Sequence, residues 1–116
     1  MEFEERPVLL LINTRPFGKI INFEGWRASV GMFGMDHEPT MLFMGDGVYA
    51  LLKTMDIMHV KMFKMTYLSF DGRICASKKS LEDRGITKEE LMEEVEILDE
   101  DQVAEQFKVN EVVVTF

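Results

Sequence analysis

TMLFMGDGVYALL, residues 40–52, is the stretch whose reading decides the fold class. Met41-Leu42-Phe43-Met44 is an unbroken apolar run, too short for a helix. A run of that length closed by a glycine turn predicts a strand buried on both faces. Gly45-Asp46-Gly47 lets the chain reverse sharply, because two of the three residues lack a Cβ. Val48-Tyr49-Ala50-Leu51-Leu52 then predicts a helix that starts at once, N-capped by Asp46 or Gly47. Strand, tight turn and helix make half of a βαβ unit. In a parallel sheet such turns collect at the carboxyl ends of the strands, where α/β proteins build their sites.

Upstream, PVLLLINT (residues 7–14) is a second continuous apolar run and predicts a central strand. The loop after it, residues 13–18, lacks the glycine spacing of a dinucleotide fingerprint or a P-loop. Residues 19–35 predict a helix that lays Phe23, Trp26, Val30 and Phe33 on the sheet. Gly25, Gly31 and Gly34 each cost that helix about 1 kcal/mol relative to Ala. The expected compensation is close approach to a neighbour, with Gly34 also able to end the helix.

Downstream, residues 53–60 are poorly patterned. Residues 62–70 predict a helix with Phe63, Tyr67 and Phe70 inward, ended by Asp71-Gly72. RICA, residues 73–76, is a short strand, and residues 77–80 form the turn after it. Ser80 with Asp83 predicts an N-cap for a short helix over residues 81–84, closed by Gly85. Thr87 with Glu90 repeats the cap signature for residues 88–93. A strand at 95–98, an acidic helix at 101–107 and a β-branched strand at 110–116 complete the chain. Strands alternating with helices and joined by right-handed crossovers predict one α/β domain over residues 1–116. Its expected form is a flavodoxin-like open, mostly parallel five-stranded sheet with helices on both faces.

Composition narrows the function. A net charge of −8 argues against a protein that tracks nucleic-acid phosphates, which needs a basic face. The acid concentrates in residues 82–105, with a smaller cluster at Glu2, Glu4 and Glu5, and reads as solvated surface or as a patch for a basic partner. No apolar run approaches the ~18 residues of a membrane span, and MEFEERP does not match a signal peptide. The expectation is a cytoplasmic protein away from the membrane. Ten methionines fit either an adaptable core or a subunit interface. His37 and His59 stand apart, without ligands at metal spacing, so neither metal nor cofactor is expected.

Cys75 is the only thiol and the only candidate nucleophile. It lies near the carboxyl end of a strand, before a turn and with Lys78 and Lys79 close by, a setting that favours thiolate. No histidine neighbours it in sequence, which argues against a Cys-His hydrolase. A thiolate that attacks a sulfur donor and carries a persulfide needs only exposure and a low pKa. The pattern equally allows Cys75 to face the core, as free cysteines commonly do. Asp46, Gly47 and Ser77 share the strand-end rim, where Asp46 also reads as a helix cap and Ser77 as a turn residue. Trp26 and Tyr49 read as core or interface residues.

Several stretches together carry a family resemblance: RPFG after the first strand, Glu24-Gly25, FMGDGVYALL, Phe63-Lys64, SLEDRGI at residues 80–86, and VEILDEDQVAEQF with NEVVVTF at the end. In order and spacing they resemble the DsrE/DsrF-like family over nearly the whole chain, most closely its DsrF/TusC branch. The resemblance implies a small flavodoxin-like protein that works as an oligomer, either with paralogous DsrE- and DsrH-like subunits or with itself as trimer or hexamer. Such complexes relay sulfur as cysteine persulfide to or from small sulfur-carrier proteins, for tRNA 2-thiolation or for oxidation and reduction of sulfur compounds. In carrier subunits of the family the active cysteine stands shortly before the Arg-Gly pair. Counting back from Arg84-Gly85, Ser77 occupies that position and Cys75 falls two residues earlier. The DsrF/TusC branch is generally the one whose cysteine is dispensable or absent. The leading expectation is a mainly structural sulfur-relay subunit. The alternatives are a self-sufficient sulfurtransferase carrying persulfide on Cys75, and a small-ligand binder using residues 15–17 and 45–47.

Overall fold

Among the described residues, five strands form one parallel sheet: β1 (Pro7–Ile12), β2 (Glu38–Phe43), β3 (Arg73–Ser77), β4 (Val95–Leu98) and β5 (Val112–Thr115). Their spatial order is β4-β3-β2-β1-β5. The computed structural model describes residues 6–17, 20–34 and 37–116, so the acidic cluster of Glu2, Glu4 and Glu5, Gly18 of RPFG, and both end residues of the helix expected over 19–35 lie outside the described residues. The helices are α1 (Ile21–Gly34), α2 (Met58–Ser69), α3 (Lys78–Asp83) and α4 (Glu100–Val109).

From β1 to β4 the chain advances in one direction; the last crossover returns past β1. A right-handed crossover run backwards places its helix on the opposite face, which separates α4 from α1 and α2. Strand alternation splits the core accordingly. Leu10, Ile12, Met41, Phe43, Ile74 and Ala76 pack under Trp26 of α1 and Tyr67 of α2. Leu9, Leu42, Cys75 and Leu98 pack with Val103 of α4 on the other side.

The expected helix after the glycine turn is not α-helical. Residues Gly45–Leu51 wind as a 3-10 helix, with Met44 rather than Asp46 or Gly47 at its N-cap and no side chain capping it. Gly47 is pressed against the end of β1, and by Leu52 the chain is extended again and bridged to Leu91, so no room is left to propagate an α-helix.

α2 begins four residues earlier than the pattern predicted. Its inward face is Val60, Lys64 and Tyr67, and a buried lysine hid that stripe from a reading of apolar spacing. Lys64 is bound to Asp56 at 2.9 Å and Glu94 at 3.3 Å. Phe63 and Phe70 instead turn sideways, against Phe23 and Phe33 of α1. In α1 the expected close approach holds at Gly25, where a Cβ would meet the Ile12 side chain at 2.9 Å. It fails at Gly31 and Gly34, which have open space above them. α4 starts at Glu100 behind an unforeseen capping box between Asp99 and Gln102. The Thr87–Glu90 box is present, closing a single 3-10 turn over Lys88–Glu90.

Pro39 gives β2 no amide hydrogen, and Tyr67 works at that place. Its buried hydroxyl accepts from the Met41 amide at 3.1 Å and lies 3.1 Å from the Pro39 carbonyl and 2.6 Å from the Arg73 carbonyl. α2 is thereby pinned to the starts of β2 and β3. Tyr67→Phe should cost about 1–3 kcal/mol, because it strands buried backbone groups; urea unfolding measures this.

Candidate functional site

The carboxyl ends of all five strands lie on one edge, and the residues singled out as the rim meet there through one hydrogen-bond network. Ser77 ends β3, and its Oγ accepts from the Ser80 amide at 3.2 Å, which makes Ser77 the N-cap of α3. The expected cap, Ser80, does something else: its Oγ accepts from the Gly45 amide at 2.9 Å, joining α3 to the turn after β2. Helix α3 accordingly starts at Lys78, three residues before the predicted position, because the strand-end hydroxyl satisfies its first turn. Gly85, with φ of 64°, leaves the helix as expected.

Arg84 completes the network. Its Nε and Nη2 both donate to Asp46 Oδ1, at 3.1 and 3.0 Å, and its Nη1 donates to the Ser80 carbonyl at 3.1 Å. Asp46 is thus the exposed anchor of a clasp between two strand-end segments, not a helix cap. The role of Arg84 was missed by sequence reasoning. The signal available was Ser80 and Arg84 four apart in SLEDRG, which puts a hydroxyl and a guanidinium on one helical face.

Cys75 does not join this rim. It sits in mid-β3 paired with Leu42 and Glu96 of the flanking strands, its side chain wholly buried among Leu9, Leu42, Leu98 and Val103. Burial pushes its thiol up to about 11, with Glu96 raising it further and Arg73 opposing. At neutral pH Cys75 is a protonated, enclosed thiol. The shift is a stability statement: the folded chain holds this proton more tightly than the unfolded chain, whose thiol titrates near its ordinary value of 9. The contribution is complete below pH 9 and is lost as pH rises from about 9 to about 11, an effect of roughly 3 kcal/mol. Chemical denaturation across that range should show the loss in the native chain and a flatter profile in Cys75→Ala.

Beside the rim, a cavity of about 400 Å³ opens between the loop after β1 and the start of α2. Its walls are mostly apolar, with Phe23, Met55 and Val60 among them, and Asn22 and His59 supply its polar groups. The Asn22 amide is spent on the Thr14 carbonyl at 2.7 Å. Phe17 stands near Tyr49, with ring centroids 6.4 Å apart, and the Arg15 guanidinium folds onto the Phe17 carbonyl. Among the described residues no cluster of three or more His, Cys, Asp or Glu side chains is placed to hold a metal ion.

The sequence model of the DsrE/DsrF-like family matches residues 6–116. The chain belongs to the DsrE/DsrF-like family. A Vibrio vulnificus protein called a TusC homolog is 33% identical over 95 residues, covering 77% of this chain and 80% of its own. The intracellular sulfur oxidation protein DsrF of Allochromatium vinosum is 32% identical over 84 residues, 67% of this chain and 62% of its own. Both similarities fall in the DsrF/TusC branch of the family. Among solved structures, the ychN protein from E. coli superposes with a TM-score of 0.82 at 19% identity, over 96% of this chain and 99% of its own. A Methanobacterium thermoautotrophicum protein of unknown function gives 0.70 at 15% identity, over 97% and 100%. These two likenesses show the fold alone, and no described helix is long and apolar enough to cross a membrane.

Proposed function

We propose that this chain is a DsrF/TusC-like subunit of a sulfur-relay complex that supplies architecture and contact surface while a partner subunit carries the sulfur. The observation that carries this reading is at the end of β3. The family's carrier position holds Ser77, whose hydroxyl is occupied as a helix cap, and the one thiol lies two residues back in the core. Persulfide transfer requires a thiolate that a donor can reach, and a buried, protonated thiol is neither ionised nor reachable.

The names of its relatives, a TusC homolog and an intracellular sulfur oxidation protein, support a place in sulfur transfer. The proposed partners are paralogous DsrE- and DsrH-like subunits, or further copies of the chain, in a trimer or hexamer served by a small sulfur-carrier protein in the cytoplasm. Nucleic acid makes no direct contact, in keeping with the net charge of −8.

Intact-protein mass spectrometry after incubation with a sulfane-sulfur donor tests the reading. The native chain should gain no sulfur, and Cys75 should resist iodoacetamide until denaturant is added. A one-sulfur gain that disappears in Cys75→Ser would instead make this chain a sulfurtransferase in its own right.

A further inference from the structure

Sulfur relay makes no use of the cavity of about 400 Å³ beside the rim. The cavity lies on the α1–α2 side of the sheet, whereas Cys75 is enclosed on the α4 side. The first turn of α1 brings Asn22 and Phe23 to it, and the first turn of α2 brings His59 and Val60. Ala50 of the 3-10 segment contributes the smallest of its lining side chains.

Two sets of hydrogen-bonding groups at this cavity have no protein partner. Asn22 is only 3% exposed, and its Nδ2 donates to the Thr14 carbonyl at 2.7 Å. That bond fixes which end of the side chain is oxygen, because a carbonyl needs a donor. Oδ1 accepts no hydrogen bond among the described residues, although a buried amide oxygen ordinarily has a partner. The second set belongs to α2. Its N-cap is Ile57, no side chain caps it, and its first bond runs from the Lys61 amide to the Ile57 carbonyl at 2.8 Å. The amides of Met58, His59 and Val60 are therefore the unsatisfied donors of a helix start.

The walls define the rest of the ligand. Among the described lining residues none is Lys, Arg, Asp or Glu. An ionised group would enter without a countercharge, and burying it unpaired is costly. Phe23, Met55 and Val60 suit an apolar body, and the positive ends of α1 and α2 suit a carbonyl oxygen. The volume is that of roughly a dozen waters, room for about as many non-hydrogen atoms.

We propose that this cavity binds a small neutral carboxamide with an apolar body. Its N–H donates to Asn22 Oδ1, and its carbonyl accepts from the first-turn amides of α2. A carboxamide carries donor and acceptor on neighbouring atoms, so one head group satisfies both sets.

Titration of the isotope-labelled full chain by two-dimensional NMR tests this, with benzamide as the probe. Benzamide should bind saturably with a Kd of about 1 mM or tighter. It should move the backbone amide signals of Phe23, His59 and Val60 and the side-chain signals of Asn22. Acetophenone keeps the ring and carbonyl but lacks the N–H, and should bind roughly tenfold more weakly. Benzoate, being ionised, should also bind roughly tenfold more weakly. Ile57→Ser gives α2 a cap that competes for the same amides. By circular dichroism it should melt close to the native chain, while its affinity for benzamide falls roughly tenfold. The proposal is overturned if benzamide leaves the cavity signals unmoved, or if acetophenone or benzoate binds as tightly. It is equally overturned if Ile57→Ser binds benzamide as the native chain does.

Discussion

Gly47→Ala is expected to destabilise the chain by about 3 kcal/mol, lowering Tm by roughly 10 °C or more. A Cβ at this position would fall on the Ile12 carbonyl oxygen at the end of β1, and that oxygen is held in place by the Met44 amide at 3.0 Å. Backbone cannot swing aside as a side chain can, so the turn itself must move. Gly45 is the control. Its φ of 53° strains any other L-residue, but the nearest atom to a Cβ there is 3.8 Å away, so Gly45→Ala should cost only about 1–2 kcal/mol. Thermal melts of the two variants rank the effects. The reverse order would mean that turn conformation, not contact with β1, determines the glycine pair. Because Asp46 lies between them, Gly47→Ala should also loosen the Arg84 clasp on the candidate rim.

The second large effect concerns Lys64. Its side chain is 2% exposed, while its partners Asp56 and Glu94 keep 23 and 35% of theirs. Replacing both carboxylates together (Asp56→Asn with Glu94→Gln) removes both countercharges from a buried ammonium, leaving it neutral amide oxygens and the Met92 sulfur at 3.8 Å. The expected loss is about 3–5 kcal/mol. Lys64→Met should cost far less, because the carboxylates retain access to water and a methionine fills the same space. Urea denaturation of the two variants tests this asymmetry. Equal losses would show that the ion pairs themselves, and not the stranded charge, carry the energy.

Much of the architecture was legible because strands buried on both faces leave an unmistakable trace. PVLLLI and MLF are continuous apolar runs, and the punctuation between them allows only βα alternation. The rim was partly legible. Gly45-Asp46-Gly47 and Ser77 were placed on the correct edge, but their tasks were misassigned, since a hydroxyl three residues before an amide can cap only if the helix begins there. Ser77 and Ser80 both satisfied that local rule, and the Gly45 amide, 35 residues away in sequence, took Ser80.

Cys75 marks the boundary between the two sources of information. Alternation in RICAS sets it on the same face as Ser77, but both faces of β3 are buried, so sequence period cannot say which helix covers a given side. The backward crossover to β5 decides it, by bringing α4 and Val103 over Cys75 and enclosing the thiol. By itself, then, the sequence determined the α/β class, the strands and the family. The burial of Cys75, the 3-10 turn after β2 and the inward turn of Lys64 were decided only by tertiary structure. Each depends on a partner remote in the chain: Val103, the Ile12 carbonyl and Glu94. Local propensity and spacing register hydrophobic period and caps, whereas the burial of a polar or reactive group follows from what long-range packing brings against it.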